Sequence, residues 1–229
     1  MTYDKKSLLK MIKDCKVLNE FTPFHVDRIN DIICQIDTTK YNYGYGATKL
    51  VLIAIDGDYA IKIPYTGSYY QEDGFYDSND YYQEGEYEYE EFFGADDDGS
   101  PWDYCLNEVL RYSIAEEEGL ADCFARTSFL GYVEGYPIYI QEKAKPLCSC
   151  REEHRYSEKE KNKTSKICKN ANSIDKNWLT DFRFFYGENM LIHFIKFINE
   201  MGWQSDLRDE NIGYIGDRPV LIDYADFNA

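Results

Sequence analysis

The feature of the sequence that most constrains the fold is a pair of short runs rich in β-branched and apolar residues, at residues 49–55 and 59–63. Asp56, Gly57 and Asp58 join them, and an Asp-Gly pair between two such runs is a strong signal for a tight turn. We therefore predict an antiparallel β-hairpin here. A second pair of short strands is predicted at residues 129–133 and 138–141, on either side of a turn.

Helical patterns precede and follow these strands. Ser7 is predicted to cap a first helix, and Thr22 and Pro23 to begin a second, whose apolar residues up to Ile36 recur at helical spacing. Further elements are predicted as helices at residues 102–118 and 178–201 and as short strands at residues 212–215 and 220–222.

Composition limits the class of protein. Of the 229 residues, 44% are hydrophobic, which is enough apolar area for a core and excludes disorder of the whole chain. The net charge of -17 repels phosphate backbones and anionic lipids, so we expect neither a nucleic acid nor a membrane as partner. The N-terminus lacks the apolar core of a signal peptide. Seven irregularly spaced cysteines indicate reduced thiols, which suits the cytoplasm.

The negative charge is concentrated in one segment. Residues 65–100 contain twelve acidic residues, eight tyrosines and no basic residue, and without them the net charge would be -5. Such a segment is typical of a solvated, partly disordered insertion. The alternative is an interaction or autophosphorylation segment whose tyrosines meet a basic partner.

Three features in the first half of the chain could contribute to a binding site. Gly44 and Gly46 would let backbone N–H groups approach a polyphosphate closely. Lys62 lies in an otherwise apolar strand, so its ammonium group either faces solvent from an edge strand or meets an anion. Glu108 could be the partner of that lysine, although by itself it would be an ordinary surface residue.

The most specific pattern lies near the C-terminus. Asp206 and Asn211 lie in one predicted loop, and Asp223 ends an apolar strand twelve residues after Asn211. Carboxylate and amide oxygens are the hard ligands that Mg²⁺ prefers, and one carboxylate would remain to orient a hydroxyl group. Packing does not explain this combination.

Taken in order, these stretches resemble the motifs of the eukaryotic-type protein kinase superfamily and its bacterial and phage kinase-like relatives. The resemblance runs from about Tyr41 to the C-terminus, with residues 65–100 and a Lys-rich stretch at residues 143–176 as insertions. The matching stretches are residues 44–51 for the glycine-rich loop, 60–62 for the Val-Ala-Ile-Lys strand, 206–211 for the catalytic loop and 221–225 for the Asp-Phe-Gly segment.

The resemblance implies catalytic and metal-binding roles for the matching residues. Lys62 would contact the α and β phosphates of ATP and pair with Glu108. Asn211 and Asp223 would hold Mg²⁺, and Asp206 would be the base that orients the acceptor hydroxyl.

The resemblance also implies contacts with the rest of the nucleotide. Val51 and Ala60 would sandwich the adenine ring. Gln141 would occupy the gatekeeper position, and the backbone of the hinge at Glu142 and Ala144 would bond the edge of the base. The implied ATP-binding set is Gly44, Gly46, Val51, Ala60, Lys62, Glu108, Glu142 and Ala144.

Several residues depart from the family pattern. Gln204 and Ser205 replace the His-Arg pair before the catalytic Asp, so we do not expect control through a phosphorylated activation loop. Lys49 replaces the third glycine of the loop, and Ala225 replaces the glycine of Asp-Phe-Gly. Six residues follow Asp223, so we expect no activation segment and no conventional platform for a protein substrate.

These observations leave alternatives for function. The first is an ATP- and Mg-dependent phosphotransferase, similar to serine/threonine-protein kinases, that transfers the γ-phosphate to a Ser, Thr or Tyr hydroxyl of itself or of a partner. Transfer of AMP is a variant that the sequence does not separate from it. The second is a pseudokinase that acts as a regulatory or interaction module. A zinc site at Cys148, Cys150, His154 and Cys168 is a third, although its spacing is unusual.

The resemblance and the strand count together predict an α+β, protein-kinase-like two-lobe fold. Its N-lobe would be an antiparallel sheet and its C-lobe reduced and mostly helical. The predicted parts are a helical extension at residues 1–40, the N-lobe at residues 41–145 with the acidic insertion, and the C-lobe at residues 146–229. The oligomeric state and the acceptor are not predicted.

Overall fold

The computed structural model describes residues 3–14, 36–45, 49–64, 75–76, 82–83, 104–133, 136–149, 156–169, 174–201 and 207–224. Contacts divide the chain into two units. The first comprises Met1–Cys105 and Phe129–Ile140, and the second comprises Leu106–Ser128 and Gln141–Ala229. The boundaries predicted at residues 40 and 145 stay a prediction.

Helices and strands both occur, as expected for an α+β protein. The helices of the described residues are α1 (Lys5–Asp14), α2 (Tyr104–Glu117), α3 (Glu158–Ile167), α4 (Lys176–Tyr186) and α5 (Glu188–Glu200). The strands are β1 (Tyr41–Tyr45), β2 (Lys49–Ala54), β3 (Tyr59–Pro64), β4 (Phe75–Tyr76), β5 (Tyr82–Gln83), β6 (Thr127–Val133), β7 (Tyr136–Glu142), β8 (Lys145–Pro146), β9 (Ile212–Ile215) and β10 (Arg218–Leu221).

A five-stranded antiparallel sheet, in the order β1-β2-β3-β7-β6, contains both predicted strand pairs. The hairpin of β2 and β3 is confirmed, with Ile53 opposite Ala60. Its turn requires a glycine, because a Cβ atom at Gly57 would lie 2.7 Å from the ring of Tyr59. The second pair is confirmed as β6 and β7, each longer than predicted.

The core of the first unit lies on one face of this sheet. Along β2, Leu50, Leu52 and Ala54 are buried in this core, whereas the residues between them are only half-buried. This alternation is the period of two that a strand imposes on its side chains. Helix α1 contributes Leu8 and Ile12 to the same core.

The start of α1 differs from the prediction. Asp4, rather than Ser7, is the capping residue: its carboxylate accepts hydrogen bonds from the backbone N–H of Lys6 at 3.0 Å and from the hydroxyl of Ser7 at 2.7 Å. These hydrogen bonds, with that from Ser7 the larger cause, lower the pKa of Asp4. The second predicted helix, from Thr22 to Ile36, lies outside the described residues except at Ile36, which is buried.

Two consecutive helices, α4 and α5, form much of the second unit, and they replace the single helix predicted at residues 178–201. Gly187 separates them, with φ of 91° and ψ of 165°. That conformation is essentially restricted to glycine, so the helix ends there despite a continuous apolar pattern. Aromatic rings from both helices fill the core, where Phe182 and Phe194 have centroids 4.6 Å apart.

The C-terminal hairpin of β9 and β10 is confirmed and packs against α4 in the second unit. Together with β8 it forms a small sheet in the order β10-β9-β8. Trp178 of α4 is fully buried, and its indole N–H donates to the carbonyl oxygen of Gly213 in β9 at 3.0 Å. This bond fixes the hairpin against the helical core.

Three further expectations from the sequence concern the acidic segment, the cysteines and membrane-spanning helices, and the structure bears on them only for the described residues. Of the acidic segment, residues 75–76 and 82–83 are described, and they pair as β4 and β5. Within the described residues, Cys123, Cys148 and Cys168 are free thiols. None of the described helices is long and apolar enough to span a membrane.

Candidate functional site

Residues that the family resemblance assigns to the nucleotide share one face of the five-stranded sheet. Gly44 of β1 lies opposite Val51 of β2, and Val51 lies opposite Lys62 of β3. Directly paired residues of antiparallel strands project from the same face, and Ala60 shares it because it lies two residues before Lys62. This face is opposite to the core of the first unit. The structure therefore brings four of the predicted residues together.

Lys62 is buried, with 3% of its surface exposed. Its strand, β3, lies between β2 and β7, so the interpretation of Lys62 as a solvent-facing residue on an edge strand is wrong. A buried ammonium group requires compensating polar or anionic partners. On the same face two strands away, a Cβ atom at Gly44 of β1 would meet nothing within 4 Å among the described residues.

In the second unit, the two predicted metal ligands are neighbours. The backbone carbonyl oxygen of Asn211 accepts from the N–H of Ile222 at 2.7 Å and from the N–H of Asp223 at 3.3 Å. The pairing of β9 with β10 brings these segments together, because Ile212 lies opposite Leu221. Asn211 and Asp223 are both half-buried. The backbones of Asn211 and Asp223 are thus adjacent, and solvent reaches part of each residue.

Glu108 of α2 is fully buried, so it is not the surface residue that its sequence context alone indicates. The hydroxyl of Thr127 donates to its Oε2 at 2.9 Å, and the side-chain amide of Gln141 lies 3.4 Å from the same oxygen. The predicted pairing of Glu108 with Lys62 stays a prediction.

The predicted hinge residue Glu142 is held by two arginines of the second unit. Its carboxylate Oε2 accepts from the backbone N–H of Arg126 at 3.1 Å and from the guanidinium of Arg218 at 3.0 Å. Its own N–H donates to the carbonyl of Arg126 at 3.0 Å. A contact of Glu142 with adenine would therefore use its carbonyl oxygen. Ala144 follows in the half-buried connection to β8.

Two predicted site residues, Asp206 and Gly46, lie outside the described part of the chain and stay predictions. Cys150 and His154 of the alternative zinc site lie outside it as well. Among the described residues, no three His, Cys, Asp or Glu side chains cluster as a metal site would require. Burial raises the pKa of the Cys168 thiol to about 11, which disfavours the thiolate that binds zinc.

Sequence reasoning missed some residues that hold the site together. Thr127 bonds Glu108, and Arg218 bonds Glu142. A threonine at the start of a strand and an arginine after a turn carry no local signal of such roles. These roles become visible only in the folded structure, because each hydrogen-bond partner lies far away in the sequence.

Comparisons with known proteins add little to this geometry. No protein-family model matches the chain, and no curated protein matches it. One solved structure that matches is the streptomycin–ATP–APH(2'')-IIa ternary complex, with 12% identity and a TM-score of 0.29 over 90% of this chain and 74% of that chain. A TM-score this low carries no argument about fold or activity, so a kinase-like interpretation depends on the residues described above.

Proposed function

We propose that this protein is an ATP- and Mg-dependent phosphotransferase of the protein-kinase-like kind. It would transfer the γ-phosphate of ATP to a Ser, Thr or Tyr hydroxyl of itself or of a partner. The observation that supports the proposal is the backbone carbonyl of Asn211, which accepts hydrogen bonds from the N–H groups of Ile222 and Asp223 and so brings the backbones of the two proposed metal ligands together.

The donor groups fit magnesium. Mg²⁺ takes oxygen ligands and keeps several waters, and it is commonly bound through one or two carboxylates together with substrate phosphates. Asn211 and Asp223 supply one amide oxygen and one carboxylate, and both are half-buried, which leaves access for water and phosphate. When bound, Mg²⁺ would neutralise charge that develops on the phosphate oxygens.

The remaining roles belong to side chains of this chain. The ammonium group of Lys62 would bind the α and β phosphates, and the shared sheet face of Gly44, Val51 and Ala60 supports binding of the nucleotide there. Asp206 would accept a hydrogen bond from the acceptor hydroxyl and orient it for in-line attack.

A calorimetric titration with ATP, with and without Mg²⁺, tests the metal site. Asp223→Asn should remove most of the gain in affinity that Mg²⁺ provides, because an amide is a poorer ligand than a carboxylate. Asp217→Asn is the matched control, since Asp217 is exposed in the turn between β9 and β10. Equal Mg²⁺ dependence in wild type and Asp223→Asn would refute the assignment of Asp223.

Transfer itself is tested by incubation with Mg-ATP labelled at the γ-phosphate. The protein or a co-purified partner should gain label, and Asp206→Ala should abolish this while leaving ATP binding intact. Transfer that survives this substitution would refute the role of Asp206. Nucleotide binding without any transfer would favour the pseudokinase alternative instead.

A further inference from the structure

A buried polar network surrounds the segment that carries Asp223. Gln141 is 2% exposed, and its side-chain amide nitrogen lies 2.8 Å from the carbonyl oxygen of Ile222 and 2.8 Å from the hydroxyl of Thr127. Longer contacts of 3.4 Å reach Glu108 and the carbonyl of Ala125. An amide NH₂ has two hydrogens, so the two short contacts use both of them.

The network holds the peptide group that precedes Asp223 by hydrogen bonds. The carbonyl of that group belongs to Ile222 and accepts from Gln141, while its N–H belongs to Asp223 and donates to Asn211. Hydrogen bonds at both ends fix the plane of a peptide group. The Cα atom of Asp223 lies in this plane, so its position is fixed, and the direction of its Cα–Cβ bond then depends only on φ of Asp223.

Tyr224 restrains the segment from the following residue. Its side chain is fully buried, and its hydroxyl donates to the carbonyl of Ala125 at 2.7 Å and lies 3.0 Å from the hydroxyl of Thr127. Burial, with the nearby charge of Glu108 as a smaller cause, raises the pKa of this hydroxyl well above its usual value.

We propose that Gln141, supported by Thr127, is a positioning residue that sets the orientation of the Asp223 carboxylate. The proposal rests on the proposed function, in which Asp223 binds Mg²⁺. In the family pattern Gln141 corresponds to a position beside the adenine, but here its amide hydrogens are directed to Ile222 and Thr127. The side chain thus acts on the metal site rather than on the base.

The test combines Mg²⁺ dependence with hydrogen exchange. Gln141→Met has similar volume but no donor, so the carbonyl of Ile222 loses its partner. We expect the gain in ATP affinity that Mg²⁺ provides to fall about tenfold or more, as is usual when a residue that orients a metal ligand is replaced. ATP affinity without Mg²⁺ should stay unchanged. Exchange of the amides of Ile222 and Asp223 should accelerate.

A second pair of variants guards against a purely structural effect. Thr127→Val removes the hydroxyl that accepts from Gln141, whereas Thr127→Ser keeps it. We expect the first to weaken Mg²⁺ dependence and the second to preserve it. Thr180→Val is the matched control, because Thr180 is a buried threonine whose hydroxyl, among the described residues, bonds to Lys176 and Thr164 in the helical part of the unit. It should lower thermal stability without changing Mg²⁺ dependence.

The outcomes separate this proposal from the proposed function. If wild type binds ATP with Mg²⁺ dependence and Gln141→Met keeps that dependence, the positioning role is overturned. If ATP binding by the wild type shows no Mg²⁺ dependence, the proposed function fails. Hydrogen exchange is then the measurement that tests whether Gln141 positions Asp223. Faster exchange confined to the amides of Ile222 and Asp223 supports it, and unchanged exchange there refutes it.

Discussion

Gly213 in β9 offers the sharpest test of the packing beside the candidate metal site. A Cβ atom at this position would lie 2.1 Å from the carbonyl oxygen of Lys145 and 2.8 Å from a methyl group of Ile222. Lys145 belongs to β8, which pairs with β9 directly after the predicted hinge. Gly213→Ala should therefore force β8 away from β9.

The magnitude follows from this geometry. To reach the 3.4 Å at which ordinary van der Waals contact begins, the Cβ atom and the Lys145 oxygen must separate by about 1.3 Å. Overpacking of a close-packed site typically costs about 1–3 kcal/mol, and each hydrogen bond lost between the strands adds about 1 kcal/mol. We expect a loss of about 3 kcal/mol in the free energy of unfolding, which lowers the Tm by about 6–12 °C in a chain of this size.

The assay is thermal and urea unfolding followed by circular dichroism. Gly216→Ala is the control in the same hairpin: its φ of 61° strains an alanine, but a Cβ atom there would meet nothing within 4 Å. That strain costs about 1–2 kcal/mol. If Gly213→Ala destabilises the protein no more than Gly216→Ala does, the close contact with Lys145 is not a constraint and the reasoning fails.

Two further predictions concern stability elsewhere. Gly187→Ala should lower the free energy of unfolding, measured by urea titration, by about 1–3 kcal/mol, because the φ of 91° and ψ of 165° at this position suit only glycine. Backbone strain alone would cause this loss, since a Cβ atom there meets nothing within 4 Å. An unchanged free energy of unfolding would contradict this prediction. Burial raises the pKa of the Cys123 thiol from 9.0 to about 12. The contribution of this thiol to the free energy of unfolding is therefore fully present below pH 9 and is lost as the pH rises towards 12. Between pH 9 and pH 11 the free energy of unfolding should fall by about 2 kcal/mol more in wild type than in Cys123→Ala, and equal slopes would show that this thiol does not titrate differently on unfolding.

Much of the sheet was predictable because its signals are local. The turn at Gly57 and the alternation along β2 are properties of neighbouring residues, and the structure confirms the hairpin that they predict. The short strands around Asn211 and Asp223 were predictable for the same reason. Their apolar runs are separated by a turn, and pairing of the runs necessarily brings their ends together.

Helix α2 shows where local signals fail. In the sequence, Leu106, Val109, Leu110 and Ile114 recur at helical spacing on one side of this helix, yet the side chains of Leu106, Leu110 and Ile114 are 44%, 53% and 38% exposed. The helix instead buries the opposite side, including Glu108. Helical spacing tells which residues share a face of the helix, but not which face is buried. A face that carries Glu108 can be buried only where a hydrogen-bond donor meets the carboxylate, and here the hydroxyl of Thr127 is that donor.

The sequence by itself determined the strand pairs, the order of the motifs that resemble those of kinases and the residue types from which we propose binding of ATP and Mg²⁺. Only the tertiary structure decided that Glu108 is buried, that Gly187 divides a continuous apolar helix and that Gln141 bonds the carbonyl of Ile222. The physical reason is distance along the chain. Gln141 and Ile222 are 81 residues apart, and a hydrogen bond between them exists only after the chain has folded.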